Sequence, residues 1–240
     1  MNQLTILRSF VFSLMMSSIS LGHASEQTAA SIDWVVDTSD RYLCRGYYSP
    51  SLIKKSSEND LNATADTTEY DGDDRIILSG NTRITGNNFQ LQADRLSFLN
   101  STGDGNADRN VRIRRPNSLF IGDEASVNLR TNTFDLKNSS FVSHKNWLRG
   151  ESEQLIGAPN GDFRIINGII SFCAPNVNTW DLQADHIYLN QSSGRGWADD
   201  VIIRFKEMPV LYTPILGFPL DNRRLTGFLI PSFSVGSTSG

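Results

Sequence analysis

Phe89-Gln90-Leu91-Gln92-Ala93-Asp94-Arg95-Leu96-Ser97-Phe98 returns 91 residues later as Trp180-Asp181-Leu182-Gln183-Ala184-Asp185-His186-Ile187-Tyr188-Leu189. The run Leu-Gln-Ala-Asp is identical in both copies. The same offset aligns Ser101, Gly103, Gly105, Ala107 and Asp108 with Ser192, Gly194, Gly196, Ala198 and Asp199. In each copy apolar residues alternate, skip one position at the Asp, then alternate again: Phe89, Leu91 and Ala93 precede Leu96 and Phe98. Alternation marks a half-buried strand. A slip shared by both copies marks a bulge or corner, where an extra residue bends the strand. A weaker copy begins at Ala65-Asp66.

The stretches between the copies read the same way. Val111-Arg112-Ile113-Arg114 and Ala125 to Arg130 alternate, and Gly/Asn/Asp pairs such as Gly80-Asn81, Gly86-Asn87 and Asn160-Gly161 punctuate them. No stretch sustains a helical apolar period. The chain is therefore expected to be all-β, an elongated jellyroll or β-solenoid of short antiparallel strands with an open apolar trough. Alternation and the repeat put Ile84, Phe89, Leu91, Phe98, Val111, Ile113, Leu182, Ile187 and Ile202 on the trough face. Alkyl chains buried there would gain about 0.8 kcal/mol per methylene.

Outside this region the texture changes. Residues 1–24, with Arg8, an apolar run from Phe10 to Leu21, and Gly22 and Ala24 before a cut, read as a signal peptide for export. Residues 25–60 read as an irregular lead-in carrying Cys44, residues 61–207 as the jellyroll and 208–227 as a proline-rich linker ahead of residues 228–240. Export permits a disulfide for Cys44 and Cys173, and both read as structural.

With 22 Lys and Arg against 26 Asp and Glu, the 240-residue chain has no basic footprint for nucleic acid. No phosphate loop, nucleophile elbow, metal cluster or cofactor motif is present. Asp104, Asn106 and Asp108 begin like a calcium loop, but Arg109 and Arg115 stand where its Gly and Glu belong. His186 occupies a surface corner and His144 has no evident partner. A non-enzymatic role is expected, with no metal or cofactor.

The C-terminal part supplies the most specific pattern: Cys173, then Trp180 to Ala184, Pro209-Val210-Leu211-Tyr212-Thr213-Pro214, Phe218-Pro219 and Arg223-Arg224-Leu225-Thr226-Gly227-Phe228-Leu229-Ile230-Pro231. It resembles the outer-membrane lipopolysaccharide-assembly protein family, also called organic-solvent-tolerance proteins or LptD. The resemblance implies a periplasmic jellyroll, ahead of a large outer-membrane barrel, that receives lipopolysaccharide from a periplasmic bridge jellyroll protein. A lipoprotein plugs the barrel where one is present. On this reading the sequence is the N-terminal periplasmic region of a member truncated about one strand into the barrel. The disulfide partners of Cys44 and Cys173 then lie beyond Gly240, and Pro231 sits at a lateral gate. The location implied is the periplasmic face of the outer membrane. The alternatives are a structural or glycan-binding β-solenoid, or a gene fragment without function.

Overall fold

The computed structural model describes residues 32–37, 46–49, 61–86, 88–145, 147–175 and 177–220. The expected signal peptide, Cys44, the barrel-strand segment and Pro231 lie outside them. Fourteen strands and no helix are present among the described residues. β1 (Trp34–Val36) and β2 (Gly46–Tyr48) form a two-stranded antiparallel sheet. The remaining twelve form a single sheet in sequence order: β3 (Asn62–Thr64), β4 (Thr67–Asp71), β5 (Arg75–Gly86), β6 (Phe89–Leu99), β7 (Asp104–Arg115), β8 (Ser118–Asn128), β9 (Thr133–Ser143), β10 (Leu148–Gly157), β11 (Phe163–Ser171), β12 (Trp180–Asn190), β13 (Arg195–Phe205) and β14 (Met208–Pro219). From β5 onward each strand pairs antiparallel with its sequence neighbours, and β3 and β4 both pair with β5, either side of Ala65-Asp66.

The sheet folds on itself because its long strands bend near their middles. The slip after Ala93 is a register shift, between Gln92 and Arg95 on β6 and between Ser79 and Thr82 on β5. Every second strand supplies a left-handed residue at the bend: Asn81 after Gly80, Asn110 after Arg109, Asn138, Asn167 and Asp200. Asparagine tolerates this conformation because its short amide bonds locally. Here each asparagine Nδ2 donates to an acid of the preceding strand or bend: Asn81 to Asp66 at 2.8 Å, Asn110 to Asp94 at 3.0 Å, Asn138 to Asp123 at 3.3 Å and Asn167 to Glu153 at 2.8 Å. Inside the bend the residues are small, as a tight vertex requires: Ser139, Ser152, Gly168 and Ala184 lie in successive cross-strand pairs, and Ala93 and Gly122 stand beside the register shifts of β6 and β8. The Ser139 and Ser152 hydroxyls bond each other at 2.7 Å.

Bending produces two facing walls. The first runs from 75–79 to 215–219 and the second from 82–86 to 208–213, with the apolar core between them. Met208–Pro219, expected as linker, is strand β14, which among the described residues is an edge paired to β13 alone. Proline is tolerated there because only one side of an edge strand is in the ladder. Pro214 falls opposite Asp200, at the bend.

β1 and β2 lie within the segment expected to be irregular. Gly46 permits their packing, since a Cβ there would sit 2.5 Å from the Trp34 ring, which meets Tyr48 edge-on. The pair docks on the outside of the second wall. Arg114 donates two hydrogen bonds to Asp33, and His144 Nε2 lies 3.1 Å from the same carboxylate. His144, read as partnerless in the sequence, is thus paired across 111 residues, a contact no local pattern announces. Leu119 and Val142 alternate outward on this wall yet are buried, as a separate patch from the main core.

Burial alone would raise the Asp33 carboxyl; hydrogen bonds from Arg114 and then His144 outweigh it and hold the group at about 2. A depressed carboxyl stabilises above its unfolded value and loses that contribution as pH falls through the folded one. Docking of the β1–β2 pair should therefore be intact above about pH 4 and weaken towards pH 2. Trp34 fluorescence against pH measures this, and Asp33→Asn should remove the dependence. At the bends, Asn138→Ala should cost about 1–2 kcal/mol in chemical denaturation, with Asn138→Gly costing less. Asp200→Asn should raise the denaturation midpoint, because it supplies the amide used at the other bends while its Oδ1 can still accept the 2.8 Å hydrogen bond from the Tyr212 hydroxyl.

Candidate functional site

The space between the walls is the candidate site. Its lining follows from the alternation that the bends preserve. Ile84, Phe89, Leu91, Val111, Ile113 and Ile187 are all buried there, at 2% exposure or less. Phe98 and Leu182 pack against the same core and remain half-buried. Ile202 does not join them. Val201 is fully buried and Ile203 packs on the core, so Ile202 points to the outer face. The cause is a difference in bend length. β7 uses two left-handed residues, Arg109 and Asn110, before Val111, whereas β13 uses Asp200 alone before Val201. The 91-residue offset therefore becomes 90 beyond the bend, and the face inverts.

The trough is not uniform along the stack. In its middle strands four phenylalanines interlock from opposite walls. Phe120 and Phe141 are cross-strand partners on the second wall. Phe134 and Phe163 lie on the first, on either side of Gly157. Phe120 meets Phe134 at 5.0 Å and Phe163 at 5.4 Å, and Phe141 meets Phe163 at 5.7 Å. Glycine at 157 is required by close approach, since a Cβ there would fall 2.3 Å from the Phe134 ring. Arg115, next on the inward face after Ile113, reaches across the open side. It donates to the Ala158 carbonyl at 2.9 Å and to that of Asn132, and its guanidinium lies 4.7 Å over Phe134. Burial lowers its pKa to about 10, so it stays cationic at neutral pH. Towards the ends the lining loosens: Ile76 and Phe98 at one, and Leu182, Ile203, Leu216 and Phe218 at the other, are partly exposed.

A cavity of about 620 Å³ opens beside the trough. All its lining comes from the first wall and adjoining turns, with Ser97, Asn106, Ser126 and Asp135 among its polar groups. Cys173 has no disulfide partner among the described residues and lies in the turn after β11, whose carbonyls Arg149 organises. Tyr48 Oη approaches the Cys173 carbonyl at 3.5 Å, which brings the β1–β2 pair to this turn. Among the described residues no cluster of three or more His, Cys, Asp or Glu could hold a metal ion.

The phenylalanine cluster and Arg115 were missed in the sequence because they fall outside the repeated phrase. The available signal was phenylalanine recurring at inward positions of three strands, β8, β9 and β11. The facing is checked by paired substitutions. Val201→Asp should unfold the chain, because an unpaired charge would be buried. Ile202→Asp should stay within about 1 kcal/mol of the parent by chemical denaturation, as an outer-face change.

Residues 50–143 match the family model described as Lipopolysaccharide-assembly, LptC-related. The LPS-assembly protein LptD of Pseudomonas fluorescens is 35% identical over 204 residues, covering 82% of this chain and 22% of the relative. That of Pseudomonas entomophila is 37% identical over 177 residues, covering 73% and 19%. The crystal structure of LptH, the LptA homologous periplasmic component of the lipopolysaccharide transport device from Pseudomonas aeruginosa, aligns with a TM-score of 0.38 and 12% identity, over 42% of this chain and 78% of that one. The chain spans about a fifth of the length of the curated relatives it matches. The chain is thus similar to LptD over most of its length, and its residues 50–143 are similar to the LptC-related family.

Proposed function

We propose that the chain is a periplasmic module that receives lipopolysaccharide, shields its acyl chains between the two walls and hands them on towards an outer-membrane barrel. The observation that supports this most is the continuous apolar seam from Ile84 to Ile187, enclosed by one folded sheet and half-open at both ends. A row of apolar side chains offers an acyl chain a water-free path at about 0.8 kcal/mol per methylene. A compact core would serve stability alone and would need no loosened ends. The glycan and phosphates stay in water, beyond the free rims of the walls.

The partners follow from the edges. β4 is exposed throughout and, among the described residues, pairs with β5 alone, so its outer backbone groups face away from the ladder. A strand from a bridge jellyroll would satisfy them by extending the sheet. At the other end β14 leads into the segment that resembles a first barrel strand, with Pro231 at the gate. Cys44 and Cys173 then tie this module to cysteines of the barrel portion, which a plug lipoprotein would complete. Residues 1–24 supply export to the periplasm.

The test is lipid capture. Photo-crosslinkers at Ile84, Leu91 and Ile113 should trap lipopolysaccharide in cells at least about fivefold more than those at the outward neighbours Arg83, Gln92 and Arg112, if alternation sets the facing. Equal capture at both sets, with no lipid retained after gentle extraction, would refute the proposal.

A further inference from the structure

We propose that Arg115 is a clasp that holds the two walls shut over the middle of the trough, and that a phosphate of the bound lipid releases it. The proposal rests on the acyl-chain reading above. It begins with an asymmetry of compensation. Arg114 is paired twice with the Asp33 carboxylate, whereas Arg115, its neighbour on the opposite face, is held by the neutral carbonyls of Asn132 and Ala158. No carboxylate among the described residues lies within ion-pair distance of it. A partly buried cation with only neutral acceptors keeps an unspent attraction for an anion.

Position gives that attraction a consequence. Arg115 ends the second-wall half of β7, while Asn132 and Ala158 lie in the turns that end the first wall at β8–β9 and β10–β11. One guanidinium thus fastens two rims across the open side, directly above the point where Phe120, Phe134 and Phe163 block the trough. An acyl chain that travels along the stack must part the walls there. A guanidinium bonded to phosphate joins two opposite charges and can be bidentate, whereas its bonds to neutral carbonyls gain from one charge alone. A phosphorylated acyl glycolipid held at the rim would therefore exchange its phosphate for the two carbonyls, freeing both turns as its chains enter. A lipid without phosphate would leave the clasp shut. Arg115 is in this sense a positioning residue that makes the middle of the trough selective for anionic lipid.

The experiment uses the 240-residue chain with photo-crosslinkers at Ile84, near one end, and at Ile113, in the middle. The probes are purified lipopolysaccharide and the same material after enzymatic dephosphorylation. In the parent, both probes should be captured at Ile84. Capture at Ile113 should fall about fivefold or more on dephosphorylation, in keeping with the loss of a charge-assisted contact. Arg115→Ala should abolish that difference and, without lipid, speed amide hydrogen exchange at residues 130–134 and 157–159 about tenfold, leaving the bend around Asn138 unchanged. Arg115→Lys, which keeps the charge but not the planar fork, should exchange faster while retaining part of the phosphate preference. Unchanged exchange in Arg115→Ala, or parent capture at Ile113 that ignores phosphate, would overturn the clasp while leaving the acyl-chain reading intact. Capture at neither position in any variant would sink the acyl-chain reading itself, and this role with it.

Discussion

An asparagine in a left-handed conformation, bonded through its amide to an acid on the preceding strand, bends this sheet. Each such residue costs conformational energy, and each is offset locally by its hydrogen bond. Stacked from Asn81 to Asn167, they align the bends of neighbouring strands along one corner. Without that alignment a single antiparallel sheet of this breadth would leave one apolar face in water. With it, the face closes against itself, and one sheet supplies both layers that a core requires.

The bend also decides which side chains are inside. A strand that simply continued past the corner would turn its apolar set outward on the second wall. The extra residue shifts parity, so Ala93 and Leu96 both point inward although they are three apart. The length of the bend is thus a specification, and Val201 against Ile202 shows its sensitivity. One residue fewer at Asp200 moves the buried position by one.

Within that frame, packing varies along the stack, and the variation has functional weight. The middle is filled by four interlocked aromatic rings and fastened at the rim by Arg115, while the ends keep half-exposed Phe98, Leu182 and Phe218. Tight centres stabilise and loose ends accept ligands. The outer face of the second wall follows the same economy, its Leu119 and Val142 buried in the region where Asp33 and Tyr48 anchor the β1–β2 pair.

Local pattern was enough for much of this. Alternation, the repeated Leu-Gln-Ala-Asp and its phase slip carried the all-β class, the existence of a corner and eight of the nine inward positions, because each depends on neighbours one or two residues away along the strand. The proline texture of 209–219 identified a restricted strand environment but not that β14 would pair. Other features depended on which residues meet across the folded sheet, and only the tertiary structure decided them. The Asp33 pairing with His144 and Arg114, the phenylalanine cluster drawn from three strands and the reach of Arg115 to two turns of the facing wall join residues far apart in the chain. Ile202 belongs with them, because the ladder tolerates a bend of one left-handed residue or of two, and only the pairing of β13 with its neighbours fixed which was used.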